Sequence, residues 1–226
     1  MILEVCTVST AGVLAAREGG ATRVELCSAL EVGGVTPSPG LIKQCRMAAP
    51  DMILHTLIRP RGGDFVYDKY EVEAMIQDIV MACDNGADGV VIGALNRDGS
   101  IDTETCSLLV AAVPPGKNIT FHRAFDCCKD PEEALEQIIA LGCNRILTSG
   151  QAPDIHTGIP MLARLHSLAA GRLTILPGGG LTPENAATVL SMTGCRELHG
   201  SLRENTPGNP TSPHLVNMTI QAMNSL

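Results

Sequence analysis

Two short apolar segments of the chain each carry a carboxylate and a thiol two residues apart. ILEVC contains Glu4 and Cys6, and RVELC repeats the pattern with Glu25 and Cys27. In an extended strand, residues i and i+2 point to the same face, so each strand presents one acid and one thiol together. Thiolates are soft metal ligands, and carboxylates act as general bases. The repeat therefore indicates either a metal site or an acid–base site.

The elements that must position these residues are eight apolar runs separated by helix-like segments. The runs cover residues 2–6, 23–27, 52–59, 89–93, 118–123, 145–149, 173–178 and 197–201. The intervening segments have apolar residues at helical spacing, and most end at glycine. Eight even strand–helix units predict one α/β domain over residues 1–226, a (β/α)8 TIM-type barrel. An open doubly wound sheet is the alternative, but no strand leads into a G-x-G-x-x-G turn.

In such a barrel the two acid–thiol pairs face inward. Each parallel strand is buried on both faces, one toward the helices and one toward the barrel interior. Because the apolar residues between them must meet the helices, Glu4, Cys6, Glu25 and Cys27 turn to the interior. The thiols lie at the carboxyl ends of their strands, where barrel active sites are built.

Basic, hydroxyl and glycine residues end the other strands at the same mouth. TIM barrels often bind phosphate with the loops after strands seven and eight and a nearby helix N-terminus. The strings GGGLTPEN and HGS fit that arrangement. We also expect the arginines at this mouth to neutralise the interior glutamates. The candidate anion-binding residues are Arg59, Arg61, Arg123, Ser149, Gly150, Gly178, Gly179, Gly180 and Ser201.

The composition narrows the class of partner. The net charge is −8, Lys and Arg form no basic stripe, and the chain has 2 Tyr, 3 Phe and no Trp. These features argue against nucleic acid. No uncharged stretch approaches the roughly 18 residues that cross a bilayer, and the first residues alternate like a strand, which argues against a membrane partner or a signal sequence. We therefore expect a cytoplasmic protein, in which the 9 cysteines are reduced.

Several longer strings resemble one protein family in collinear order. Between residues 2 and 201 they are LEVC, RVELC, GGVTPSPG, IRPRGGDF, GADGVVIGAL, TFHRAFD, RILTSG and PGGGLTPEN. With them the chain resembles the CutC copper-homeostasis family. The resemblance implies a cytoplasmic TIM-type barrel that forms homodimers or higher homo-oligomers and handles copper, with Cys6 and Cys27 at the positions of suggested copper(I) ligands. It implies no organic cofactor, and the segment 202–213 diverges from the family.

Two functions stay open from the sequence. In the first, Cys6 and Cys27 bind copper(I), and the carboxylates tune the site from the layer below. In the second, the chain is an enzyme acting on a small anionic or phosphorylated molecule, with Glu4 or Glu25 as base and His122 as acid. The string GGLTPEN is similar to one in phosphoribosylanthranilate isomerase, although no Cys and Asp pair matches the setting expected of that enzyme.

Overall fold

Strands and helices alternate along the whole described chain, which a computed structural model gives for residues 1–205, 208 and 210–225. The strands are β1 Ile2–Thr7, β2 Arg23–Leu26, β3 Ile53–Leu57, β4 Gly89–Ile92, β5 Asn118–Phe121, β6 Arg145–Thr148, β7 Thr174–Pro177 and β8 Glu197–Gly200. The helices are α1 Thr10–Glu18, α2 Pro39–Ala48, α3 Lys69–Asp84, α4 Thr103–Ala111, α5 Pro131–Ala140, α6 Ile159–Ala169, α7 Pro183–Thr193 and α8 Pro213–Asn224.

The domain prediction over 1–226 and the divergent segment 202–213 both include residues outside this description. Residues 206, 207 and 209 of the segment, and residue 226 at the end, are not among those described. The single-domain assignment over the full length therefore stays a prediction.

The eight strands run parallel and close on themselves. β1 pairs with both β2 and β8, and the other strands follow in chain order from β2 to β7. A parallel bridge between Gly178, directly after β7, and His199 of β8 completes the circle. A Cβ on Gly178 would lie 2.4 Å from Cδ1 of Leu147 and 3.1 Å from Cβ of His199, so glycine fits this seam without displacing Leu147. The predicted (β/α)8 barrel is confirmed.

The alternation of side chains divides β1 between two apolar regions. Leu3 and Val5 belong to the large core between the barrel and the helices. Cys6 instead packs in a small cluster inside the barrel with Cys27 and Leu57. The inward orientation expected for the two thiols is therefore the one found, and it follows from the two-residue period of a strand.

Local sequence sets the helix boundaries around the mouth. Asp130 caps α5 by accepting hydrogen bonds from the N–H groups of Glu132 and Glu133. Thr182 and Asn185 form a reciprocal capping box at the start of α7. Of the helices described, not one has the length and apolarity needed to cross a membrane.

Gly89 makes room near the amino end of the barrel for His55. A Cβ on Gly89 would lie 2.7 Å from the carbonyl oxygen of Asn118 and 2.8 Å from Cδ2 of His55. Since a strand backbone cannot move away freely, we expect Gly89→Ala to lower the free energy of unfolding by about 1–3 kcal/mol. Urea denaturation followed by circular dichroism measures the change.

The matched control is Gly40→Ala in α2. Gly40 is exposed, and the nearest atom to its added Cβ is Ser38 Oγ at 4.0 Å. In a helix, alanine is favoured over glycine by up to about 1 kcal/mol, so this variant should be neutral or more stable. Equal stabilities of the two variants would contradict the tight packing around Gly89.

Candidate functional site

Two buried thiols meet where β1 and β2 end. The Sγ atoms of Cys6 and Cys27 are 3.5 Å apart, and both cysteines are free thiols. A carboxylate oxygen of Glu25 joins them, so that the three potential ligand atoms lie within 4.8 Å of one another. In the described part of the chain, this is the one group of three or more His, Cys, Asp or Glu residues placed to hold a metal ion.

Strand register produces this grouping. Cys6 lies opposite Glu25 in the β1–β2 pairing, and Thr7 lies opposite Leu26. The thiol of Cys27, one residue further on, also donates to the carbonyl oxygen of Thr7 at 3.6 Å. The acid–thiol repeat seen in the sequence therefore becomes one cluster because the two strands are neighbours with a fixed offset.

The surroundings raise the pKa of two members of the cluster. The hydrogen bond with Cys27, together with burial, raises the pKa of Cys6 well above that of a free thiol. Burial also raises the pKa of Glu25, against the opposing effect of nearby His199. Because metals bind thiolates, a cation that binds here must displace protons.

Glu4 lies on the same face of β1 as the thiol and is fully buried. Its carboxylate accepts hydrogen bonds from Arg23 Nε at 2.6 Å, His55 Nδ1 at 3.1 Å and His199 Nδ1 at 2.8 Å. Burial by itself would raise the pKa of Glu4. The bonds from His199 and His55 and the charge of Arg23 outweigh burial and hold that pKa well below its usual value. Glu4 is therefore an ionised structural anion.

Arg23 is the buried counter-charge of Glu4. It lies opposite Glu4 in the register, and its guanidinium also contacts Glu197 at 2.5 Å. The alternation that turns Glu25 inward applies equally to Arg23, two residues earlier on β2, so the sequence did contain the signal. The sequence predicts that the counter-charges of the interior glutamates are arginines at the mouth, namely Arg59, Arg61 and Arg123. For Glu4 that prediction is wrong, because its buried partner is Arg23.

His199 connects this ion-pair network to the thiol cluster. Its Nδ1 contacts Glu4, and its Nε2 is 3.7 Å from a carboxylate oxygen of Glu25. Burial would lower the pKa of His199, but hydrogen bonds with Cys6 and Glu4 and the charge of Glu25 raise it well above the ordinary value. A cationic imidazole therefore lies beside the thiols.

A cavity of about 300 Å³ opens above the cluster at the barrel mouth. Cys6, Glu25 and His199 reach it from the thiol side, whereas Cys27 does not line it. Its apolar wall consists of Leu30, Leu57, Phe65, Leu147 and Leu181. Its polar wall consists of Gly33, Arg59, His122, Arg123, Gly179, Gly180, Gly200 and Ser201. The thiol of Cys6 is thus the member of the pair that a ligand in the cavity can approach.

The structure brings part of the predicted anion-binding set to this cavity. The residues that line it are Arg59, Arg123, Gly179, Gly180 and Ser201. Those that do not are Arg61, Ser149, Gly150 and Gly178. Arg61 turns away to pair with Glu71 at 2.6 Å and Asp64 at 3.0 Å, and Gly178 is used in closing the barrel.

The cradle expected at Ser149 and Gly150 already holds an anion from the chain itself. Asp126 accepts hydrogen bonds from the Ser149 N–H at 3.0 Å, the Thr148 hydroxyl at 2.5 Å and the Gln151 N–H at 3.2 Å. The N–H of Gly150 donates to the Thr148 hydroxyl at 2.9 Å. Asp126 therefore takes the place that a ligand anion would need.

Among the three residues considered for acid–base chemistry, Glu25 and His122 line the cavity and Glu4 does not. His122 is buried, and its Nδ1 accepts the N–H of Ala124 at 3.2 Å, which places the ring proton on Nε2. Burial and the charge of Arg59 lower the pKa of His122 to about 3. His122 is therefore a neutral hydrogen-bond donor across the physiological range.

Fold and site together define a (β/α)8 barrel whose mouth carries a buried thiol pair beside an acid–imidazole network. The CutC family model matches residues 1–204. The chain is 52% identical over 201 residues to a CutC family protein of Bacteroides thetaiotaomicron and 48% identical over 202 residues to one of Chromobacterium violaceum. Both matches cover 89% of this chain, and they cover 80% and 81% of those proteins. The chain belongs to the CutC family, as its motifs indicated.

Among solved structures, the chain is similar to a member of this family and, in fold alone, to an enzyme outside it. The CutC protein of Streptococcus agalactiae, whose proposed role is copper homeostasis, has a TM-score of 0.85 and 35% identity, covering 89% of this chain and 98% of that one. Phosphoribosylanthranilate isomerase of Thermotoga maritima has a TM-score of 0.66 at 14% identity, covering 100% of both chains. At that identity the similarity to the isomerase shows a shared fold and nothing more. The similar string GGLTPEN is therefore no evidence that this chain catalyses the isomerase reaction.

The buried ion pair predicts a large loss of stability in Arg23→Met. The substitution would leave Glu4 and Glu197 without their shared cation in a buried setting, so we expect unfolding to become easier by about 3–5 kcal/mol. Arg17→Met is the control, since Arg17 and Asp51 form a pair with side chains 41% and 66% exposed and should contribute little. Chemical denaturation measures both, and similar small losses would argue against the network.

The buried neutral ring of His122 predicts acid sensitivity. In the unfolded chain a histidine binds its proton near pH 6.5, whereas in the fold His122 does so near pH 3. The unfolded state therefore binds more protons as the pH falls below 6.5, and stability falls with the pH. Between pH 7 and pH 5 this residue should cost about 2 kcal/mol.

His122→Gln should remove that part of the pH dependence, measured as the difference between urea unfolding free energies at pH 7 and pH 5. His156→Gln is the matched control, since His156 is exposed. If both variants keep the pH dependence of the parent chain, the assignment of a neutral buried His122 fails.

Proposed function

We propose that the chain binds one copper(I) ion between Cys6 and Cys27, with the carboxylate of Glu25 beside it, as its part in copper homeostasis. The observation that supports this most directly is the pair of buried Sγ atoms 3.5 Å apart, grouped with a Glu25 oxygen. Thiolates are soft ligands that select copper(I). Membership of the CutC family and the proposed role of the Streptococcus agalactiae relative support the same cargo.

The donor set suits copper(I) better than other common metals. Copper(II) favours tetragonal nitrogen and oxygen ligands, and structural zinc takes four nitrogen or sulfur ligands. The cluster offers two sulfurs and one carboxylate in the described chain. Leu57 and Val91 pack against the two cysteines, so apolar side chains limit the water around an ion held there, and the ion is approached through the cavity that Cys6 lines.

The charges around the cluster favour the loaded state. Two thiolates with one copper(I) carry a net negative charge, and both thiol protons must leave when the ion binds. His199, held beside the cluster by Glu4 and Glu25, supplies a compensating positive charge. Arg23 in turn balances Glu4. The ion-pair network thus stabilises the anionic copper–thiolate centre from below.

We further infer that the protein works in the cytoplasm as a homo-oligomer. A cytoplasmic location suits a site that needs reduced thiols, because that compartment keeps cysteines unpaired. A homodimer or higher homo-oligomer is the assembly that the family resemblance implies. The proposed partner of the protein is the copper ion, and not nucleic acid or a membrane.

An anaerobic titration of copper(I) against a calibrated chelator tests the site. The parent chain should bind one ion per chain, and Cys6→Ser and Cys27→Ser should each weaken binding by more than the roughly 10–100-fold that loss of an outer partner costs. Glu25→Gln should have the smaller effect. Cys127→Ser, which removes an exposed thiol, is the matched control and should bind like the parent.

Circular dichroism of each variant separates loss of the ligand from loss of the fold. Should the folded Cys6→Ser and Cys27→Ser proteins bind copper(I) as tightly as the Cys127→Ser control, the site is elsewhere. Weak binding of the same strength in all the proteins would equally defeat the proposal.

A further inference from the structure

One wall of the cavity contains a buried cation that no carboxylate neutralises. Arg59 is 5% exposed. Its Nη1 donates to the carbonyl oxygens of Val32 at 3.2 Å and Gly34 at 3.0 Å, and its Nη2 donates to that of Gly63 at 2.7 Å. Nε forms no hydrogen bond of ordinary geometry to the described residues, although the Tyr67 hydroxyl interacts with this guanidinium. Within the described chain, the acceptors of Arg59 are carbonyl oxygens and not carboxylates. Carbonyl dipoles solvate this guanidinium but leave its charge uncompensated.

A second buried donor without a partner lies next to it. His122 is 4% exposed, and its Nε2, which carries the ring proton, makes no hydrogen bond to the described residues. The ring of Phe65 joins the two residues: its centre is 4.8 Å from Arg59 Cζ and 5.1 Å from the centre of the His122 ring. All three residues line the cavity. Buried donors are nearly always paired, so the free Nε2–H of His122 beside the uncompensated charge of Arg59 points to a missing anionic acceptor.

Arg123 brings a further donor to the same cavity. Its Nε binds Asp126 at 2.7 Å and its Nη2 binds the Ser149 hydroxyl at 3.1 Å. Its Nη1 forms no hydrogen bond to the described residues and lies 3.4 Å from where a Cβ on Gly179 would stand. The absence of a side chain at Gly179 therefore leaves space between Arg123 and the cavity.

We propose that this cavity binds a small organic oxyanion, with the negative group held by Arg59, His122 and Arg123. The apolar wall supplies contacts for a short carbon skeleton, and about 300 Å³ is at the small end of ligand sites. Glu25 lines the cavity too, but His199 at 3.7 Å offsets its charge. The site goes beyond copper binding and does not depend on it, since none of the three donors belongs to the thiol cluster.

Titration of the full chain with acetate, pyruvate and inorganic phosphate at constant ionic strength tests the inference. Nitrogen-15 NMR should show saturable shifts of the Arg59 Nε–H and the His122 Nε2–H, with one anion bound per chain. Arg59→Met should weaken binding by about tenfold or more, as expected when a charged hydrogen bond is lost. Arg61→Met is the matched control, because Arg61 pairs with Glu71 and Asp64 outside the cavity, and should bind normally.

The test separates this site from the copper site and from a failure to fold. Cys27→Ser, which removes a proposed copper ligand that does not line the cavity, should keep anion binding. If Arg59→Met does not fold, His122→Gln replaces it as the cavity variant, with His156→Gln as its control. His122→Gln should then bind the anion more weakly than His156→Gln. Preference for pyruvate would identify a carboxylate ligand, and preference for phosphate a phosphorylated one. The inference is overturned if none of the three anions binds saturably, or if the cavity variant and its control bind alike.

Discussion

Burial of the Glu4 carboxylate is the constraint on which the barrel and its site depend. An ionised group at the centre of a barrel is tolerated only with partners, and here they come from three other strands: Arg23 of β2, His55 of β3 and His199 of β8. One charge therefore fixes the relative positions of four neighbouring strands. The thiol cluster on β1 and β2 gets its geometry from that register and its positive neighbour, His199, from the same network.

Two chemically different surfaces meet at the mouth of this barrel. The first is the soft, largely enclosed thiol cluster, with only Cys6 of the pair reaching the cavity. The second is the wall of Arg59, Phe65 and His122, which is cationic and rich in donors. Cys6 and Arg59 line the same cavity, so whatever occupies it stands between the thiols and the solvent.

The barrel and the thiol pair could be predicted from the sequence because both depend on simple periods. Eight apolar runs and their helix-like spacers predict the fold, and a two-residue alternation turns Cys6 and Cys27 to one side. Side chains beyond the strands follow no such period. Arg59 and Arg61 are two positions apart at the exit of the same strand. Arg59 lines the cavity, whereas Arg61 turns to Glu71 at the surface. The occupation of the Ser149 loop by Asp126, from a preceding segment, likewise depends on distances that the sequence does not contain.

The pairing of β8 with β1 determines when, during synthesis and folding, the surroundings of the thiols are completed. Cys6 and Cys27 are 21 positions apart, whereas His199 reaches Glu4 across 195 positions. Contacts between distant positions carry the greater entropic cost and slow the folding of barrels that depend on them. On the ribosome, the two thiols emerge together long before the imidazole that completes their surroundings. The two thiols therefore exist first as a bare dithiol, and their surroundings are complete only once β8 has been made and has paired with β1.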